Sequence, residues 1–127
     1  MRYVVDSDKT VEQATADLEA AVLEHGFGVL HTYDLKQTLA KKGVELPQQC
    51  RILEVCNPQQ AARVLSEDMG MNVALPCRIS VYQEGGRTRI GMVRPTALLA
   101  GLSDAPGLAD VAREVEQATI RMIDQAR

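Results

Sequence analysis

The sequence has few aromatic residues and no tryptophan. Its 127 residues include one phenylalanine and three tyrosines. Single-stranded nucleic acids are commonly bound by aromatic side chains on which the bases stack. The net charge of −3 is also unfavourable for binding to nucleic acids and acidic membrane surfaces, because both attract concentrated basic patches. We therefore expect neither nucleic acid nor a membrane as a partner.

Cysteine is scarce as well, with Cys50, Cys56 and Cys77 making an odd number. An odd count fits free thiols better than a disulfide framework, and free thiols are typical of a reducing compartment. No apolar run approaches the roughly 20 residues that cross a bilayer. Arg2 and Asp6 bring charge too early for a signal peptide. Together these features predict a cytoplasmic location.

The length and composition are those of one ordinary globular domain. Hydrophobic residues make up 46% and charged residues 24% of the chain, which is a typical globular mixture. A chain of this size buries about two-thirds of its unfolded surface and needs no metal or disulfide to fold. No repeat, low-complexity tract or linker-like segment divides it. We predict a single domain over residues 1–127.

Capping residues and apolar periodicity predict alternating strands and helices in the first part of the chain. Thr10 opens a helix in a capping box with Gln13. Asp34 caps a short second helix, and Asn57 followed by Pro58 is the clearest helix start in the sequence. The predicted elements are a strand over 2–6, a helix from Thr10 to Gly26, a strand over 27–33, a helix over 34–40, a strand over Cys50–Cys56 and a helix over 58–68.

The second part of the chain predicts a β-hairpin and a long helix. Strands over 76–83 and Arg87–Val93 flank Gly85-Gly86, which suits the positive φ angles of a tight hairpin turn. An apolar stripe predicts the last helix over 106–126, and 96–102 is either a helical turn or a packed loop. A hairpin among the strands indicates an antiparallel or mixed sheet with helices on one face, which is an α+β fold.

The hairpin register separates a core face from a polar face. The predicted core residues are Cys77, Ile79, Val81, Ile90 and Met92. The polar face carries Arg78, Ser80, Tyr82 and Arg89. Arg78, Tyr82 and Arg89 either hold an anion or form an ordinary solvated sheet surface.

Cys56 is a candidate functional thiol. It ends a strand and precedes the Asn57 cap, close to the positive end of a helix dipole, where a thiol pKa can be lowered. On that strand Leu53 and Val55 share one face, and Cys56 lies on the other. The alternative is that Cys56 packs as a small apolar residue. The same two alternatives apply to Cys77.

The histidines and the remaining motifs point to no cofactor. Cys50 and Cys56 are spaced more widely than the usual close pair of zinc ligands, and no paired histidines follow. We interpret His25 as a residue at a helix end. His31 is interpreted as a partly buried structural histidine that shares a strand face with Phe27, Val29 and Tyr33. No P-loop, dinucleotide fingerprint or nucleophile motif is present, so no catalytic residue is assigned and any cofactor is unknown.

Short motifs spread along the chain carry a resemblance to a known family. The motifs are Gly26-Phe27-Gly28-Val29-Leu30, Val55-Cys56-Asn57-Pro58, Leu75-Pro76-Cys77-Arg78 and Val81-Tyr82. In order and spacing they resemble the domain of unknown function 302 family over nearly the whole chain. The resemblance implies a compact α+β domain in which a curved, mostly antiparallel sheet of about five strands packs on helices, in a TATA-binding-protein-like arrangement. It also implies a homodimer and no established activity.

Three functions are compatible with these observations. The first is a dimeric, non-enzymatic module that binds a small molecule or a partner. The second is thiol-based redox, sulfur-transfer or soft-metal chemistry at Cys56 and Cys77. In the third, the motifs only fix a strand-to-helix junction and a strand start. The candidate binding residues are Cys56, Asn57, Pro58, Pro76, Cys77, Arg78, Tyr82 and Arg89, whereas Cys50 belongs to no motif of the family and receives no role.

Overall fold

The protein, seen in a computed structural model that describes residues 1–127, is a sheet of five strands packed on helices. The strands are β1 (Arg2–Ser7), β2 (Gly28–Asp34), β3 (Cys50–Cys56), β4 (Cys77–Glu84) and β5 (Arg87–Val93). The helices are α1 (Val11–Glu24), α2 (Leu35–Lys41), α3 (Pro58–Glu67), α4 (Pro95–Leu102) and α5 (Leu108–Ala126), with a 3-10 helix at Met69–Ala74. The strands lie in the order β1-β5-β4-β3-β2, and every neighbouring pair is antiparallel. The predicted α+β class is confirmed.

One face of the sheet packs against the helices and the other face is open. The core side chains of the sheet are Val5, Leu53, Val55, Ile79, Val81, Ile90 and Met92. They meet a helical layer that includes Leu18, Val22, Val111, Met122 and Ile123. The predicted division of the hairpin is therefore confirmed, as is the placement of Leu53 and Val55 on one face of β3. We refer to the side opposite the helices as the open face.

The predicted caps of α1 and α2 are confirmed with one correction. Thr10 Oγ1 accepts a hydrogen bond from the Gln13 N–H at 3.1 Å, and Asp34 Oδ1 accepts one from the Gln37 N–H at 3.0 Å. The capping box is only half formed, because the Gln13 amide donates to Asp17 Oδ1 at 2.9 Å and does not return to Thr10. The cap therefore depends on the threonine side chain alone.

The ends of the later helices differ from prediction for local reasons. The segment 96–102 was predicted as either a helical turn or a packed loop. In the structure it is helical and makes up all of α4 except Pro95. Helix α5 starts at Leu108 because Gly107 has φ +87°, a left-handed conformation that cannot be a helical turn. Helix α3 ends at Glu67 because Asp68 is extended. None of the helices combines the length and the apolar character required to cross a membrane.

A β-bulge changes the predicted faces of β2. The register against β3 shifts between Val29 and His31, which makes Leu30 the extra residue. Val29 pairs with Val55 and packs on the core, whereas His31 and Tyr33 lie on the open face. The prediction that Phe27, Val29, His31 and Tyr33 share a face is wrong, and so is that of a partly buried His31. Its exposed ring contacts Tyr33 edge-on, with centroids 4.2 Å apart.

The sheet separates at one end between β4 and β5. Strand β4 begins at Cys77 and β5 continues to Val93, but their pairing stops at Ser80 and Gly91. The flanking pairs continue, because Cys77 still pairs with β3 and Val93 still pairs with β1. Strand β4 thus stays with β3 while β5 stays with β1. Main-chain groups that would meet across this gap have no ladder partner there.

Candidate functional site

A cavity of about 800 Å³ lies at the opening between β4 and β5. Its lining includes Ile79 and Met92 from the core face and Val4, Ile52 and Ser80 from the open face. The helices supply further wall residues, among them Ala61, Val64, Leu98, Leu99, Val115 and Thr119. The volume is within the range of small-molecule sites, which are commonly apolar clefts with few polar groups. The opening in the sheet therefore joins the open face to an apolar interior.

The Cys-Asn-Pro motif forms the junction between β3 and α3 at one wall of this cavity. Cys56 ends β3, and Asn57 Oδ1 accepts hydrogen bonds from the N–H groups of Gln59 and Gln60, both at 3.1 Å. The Asn57 amide also donates to the Gly26 carbonyl at 3.4 Å. Cys56 and Asn57 line the cavity, whereas Pro58 occupies the first turn of α3 and does not. Asn57 thus has a structural role at the wall of the cavity, as the cap of α3.

Both motif cysteines line the same cavity, and neither forms a disulfide. Cys77 pairs with Val55, the residue before Cys56. Burial raises the pKa of the Cys77 thiol to about 11, and repulsion from Cys56 acts in the same direction. At neutral pH Cys77 is therefore a protonated thiol, and the thiolate is the nucleophilic form.

The Leu-Pro-Cys-Arg motif leads into the start of β4. Pro76 and Arg78 line the cavity, and the Leu75–Pro76 peptide bond is cis. The side chain of Arg78 is 64% exposed, with Nη2 3.9 Å from Glu54 Oε2. Glu54 has a closer partner, because its Oε1 accepts a hydrogen bond from the Tyr33 hydroxyl at 2.9 Å. That bond raises the pKa of Tyr33 and leaves Arg78 weakly engaged.

Arg78, Tyr82 and Arg89 share the open face but do not form one cluster. Tyr82 lines the cavity and Arg89 does not. Arg89 Nε lies 3.3 Å from Asp6 Oδ1, and its Nη1 lies 3.2 Å from Glu84 Oε1. Two carboxylates thus neutralise Arg89, at the end of the hairpin that lies away from Arg78.

Arg2 lines the cavity and was not identified from the sequence. It is exposed, pairs with Val93 across β1 and β5, and has no carboxylate within ion-pairing distance. Arg2 on β1 and Arg78 on β4 therefore flank the opening from its two sides. Only the strand order β1-β5-β4 brings them to one site, and nothing in the hairpin pattern signals that order.

Cys50, which received no role from its motif context, also lines the cavity. Burial raises the pKa of its thiol, and the Asp34 carboxylate adds to the effect. The structure contains no cluster of three or more His, Cys, Asp or Glu side chains arranged to hold a metal ion. A soft metal bound at Cys56 and Cys77 would need further ligands from elsewhere.

Comparisons with known proteins agree with the resemblance found in the sequence. The family model described as domain of unknown function DUF302 matches residues 3–126. The crystal structure of an uncharacterised conserved DUF302 protein from Bacillus stearothermophilus is similar over 99% of this chain and 98% of that one, with a TM-score of 0.93 and 39% sequence identity. No curated protein matches the chain. The chain therefore belongs to the DUF302 family.

Proposed function

We propose that this protein binds a small molecule in the cavity between β4 and β5 and acts as a binding module without catalysing a reaction. The observation that carries the proposal is the separation of the two strands beyond Ser80 and Gly91. A continuous sheet would close the core face off from the open face. The separation instead leaves an apolar space of about 800 Å³, and unpaired main-chain groups border it.

The lining supports binding better than chemistry. Catalytic sites bring a nucleophile or base together with a group that activates it. Here desolvation of the half-buried Cys77 raises its pKa to about 11, which is the direction that suppresses nucleophilic attack at neutral pH. The amide oxygen of Asn57 is engaged in capping α3, and its amide NH2 donates to the Gly26 carbonyl.

Thiol chemistry remains the alternative because Cys56 and Cys77 line one cavity. In that function Cys56 is the reactive residue, since it immediately precedes the Asn57 cap of α3. A redox pair additionally requires Cys77 to form a thiolate, which burial opposes. This contrast makes the reactivity of Cys77 a direct discriminator between the two functions.

The binding function is tested with N-phenyl-1-naphthylamine, a neutral apolar dye that fluoresces when it leaves water. We expect saturable binding to the native protein at one site. Ser80→Leu places a larger apolar side chain in the cavity lining at the last ladder pair and should abolish the signal. Thr38→Leu on α2 adds the same bulk at an exposed position outside the lining and is the control. Absence of saturable binding, or equal binding by the Ser80→Leu variant, contradicts the proposal.

We also propose that the chain forms a homodimer through the β2 edge of the sheet. Leu30 is 62% and Tyr33 39% exposed on this edge strand, and neither residue lines the cavity. A contact here would bury apolar surface and leave the opening between β4 and β5 free. Light scattering coupled to size exclusion should give a dimer for the native chain and a monomer for Leu30→Lys. A native monomer contradicts this proposal and leaves ligand binding untouched.

A further inference from the structure

We infer that the ligand is an apolar carboxylate, held with its carboxylate between Arg2 and Arg78 and with its apolar body inserted through the opening between β4 and β5. This inference rests on the proposed binding function and specifies the chemical class of the ligand. Arginine is suited to the role because its planar guanidinium donates paired hydrogen bonds to a carboxylate.

The charges around the opening favour an anion. Arg2 has no carboxylate partner, and Arg78 has only Glu54, at 3.9 Å. The acidic groups of the open face have other partners. Glu54 is hydrogen-bonded by Tyr33, and Asp6 lies near Arg87 at 3.6 Å and Arg89 at 3.3 Å. The two cationic groups that line the cavity are therefore the available ones.

The geometry of the sheet allows both arginines to reach one group. Arg2 on β1 pairs with Val93 on β5, and Arg78 lies on the next strand, β4, within the segment that has no pairing to β5. Strands in a sheet lie about 4.8 Å apart, so positions two strands away begin about 10 Å apart, and the opening adds to this distance. Two extended arginine side chains can converge on a carboxylate across such a span.

The interior beyond the opening accommodates an apolar body. Ile79 and Met92 belong to the core and line the cavity beneath the separated strands. Thr119 is polar but already satisfied, since its hydroxyl donates to the carbonyl of Val115 at 2.9 Å. Gln60 contributes one buried amide oxygen without a partner on the α3 side. The wall thus offers a largely apolar surface, and its cationic groups stand at the entrance.

Competition against N-phenyl-1-naphthylamine separates this inference from the proposed function. The competitors are decanoate, 1-decanol and decylamine, which each contain ten carbons and differ in the charge of the head group, and all are used within their solubility and below any micelle concentration. We expect decanoate to bind about tenfold more tightly than 1-decanol, because hydrogen bonds to charged groups contribute more than neutral ones. Decylamine should bind more weakly than both. Added salt should weaken decanoate selectively.

Arg2→Gln and Arg78→Gln each remove one cation from the opening and should each weaken decanoate about tenfold. Arg121→Gln removes the same charge from an exposed position of α5 outside the cavity lining and should leave decanoate binding unchanged. Unchanged 1-decanol binding by each variant shows that its cavity is intact.

The outcomes differ for the two claims. If the dye shows no saturable binding, the proposed function itself is contradicted. If 1-decanol and decanoate bind equally, or if Arg2→Gln and Arg78→Gln behave like Arg121→Gln, the carboxylate inference is overturned and the cavity remains a binding site.

Discussion

Val55 pairs with Cys77 across β3 and β4. This one register position places the end of β3 beside the start of β4, so that the Cys-Asn-Pro and Leu-Pro-Cys-Arg motifs border the same cavity. The two motifs are separated by a helix and a 3-10 turn in the sequence. Their proximity is consequently a property of the sheet register and could not be deduced from either motif.

The first prediction concerns the reactivity of Cys77. In a variant with Cys50→Ser and Cys56→Ser, the one remaining thiol should react with a disulfide reagent far more slowly at pH 7 than free glutathione does. The pKa of about 11 means that the thiolate fraction, and with it the rate, should rise about tenfold per pH unit between pH 7 and 9. Removing Cys56 deletes the smaller of the two contributions to this pKa, so burial must still dominate. Reaction as fast as glutathione at pH 7 would favour the thiol function.

The second prediction concerns the cap of α3. Asn57→Ala removes two hydrogen bonds to the first turn and should lower the free energy of unfolding by about 1 kcal/mol in urea denaturation. Asn57→Asp keeps an acceptor oxygen at the cap and should recover most of that loss. If Asn57→Ala kept its stability yet lost dye binding, Asn57 would contact the ligand directly and the capping account would be incomplete.

The third prediction concerns the attachment of α4, which forms a wall of the cavity. This helix has no side-chain cap from its preceding residue. Glu116 on α5 supplies one, since its Oε1 accepts from the Thr96 N–H at 3.1 Å and from the Thr96 hydroxyl at 2.6 Å. Glu116→Ala should therefore lower the free energy of unfolding by about 1–3 kcal/mol.

Glu114→Ala is the matched control for that measurement. Glu114 lies on the same helix and pairs with Arg63, but its side chain is 53% exposed. Exposed ion pairs contribute about 0–1 kcal/mol, so the control should change stability little. Equal losses in the two variants would show that the Glu116 contact does not anchor α4.

The fourth prediction concerns Arg89, which the sequence placed beside Arg78 and Tyr82 in a candidate anion site. Because Asp6 and Glu84 already neutralise it, Arg89→Gln should leave the affinity for decanoate within about twofold of the native value, as expected for a screened surface charge. A loss of decanoate affinity comparable to that of Arg78→Gln would show that Arg89 contributes to the binding site.

Much of the fold could be predicted from residues that are close together in the sequence. Asn57-Pro58 marked the start of α3 because a cap and a proline act within one turn, and Gly85-Gly86 marked the hairpin because its turn requires positive φ angles. The hairpin then determined which side chains of β4 and β5 face the core. Each of these predictions depended on residues close together in the sequence.

The parts that escaped prediction depend on pairing between distant segments. The bulge at Leu30 arises in the pairing of β2 with β3, and nothing in the alternation of β2 alone reveals an extra residue. Arg2 joins the site only because β1 pairs with β5. The separation of β4 from β5 likewise depends on pairing with other strands. It is recognised because Cys77 still pairs with β3 and Val93 still pairs with β1, although β4 and β5 no longer pair with each other there.

The most direct test of the central claim is a titration of the ¹⁵N-labelled protein with N-phenyl-1-naphthylamine, followed by amide chemical shifts. A ligand in the opening should perturb, in a saturable manner, the amides of Arg78, Ile79 and Ser80 on β4 and of Gly91 and Met92 on β5, and should leave those of α2 unchanged. Shifts that never saturate, or that cluster away from these two strand segments, would contradict a binding site between β4 and β5.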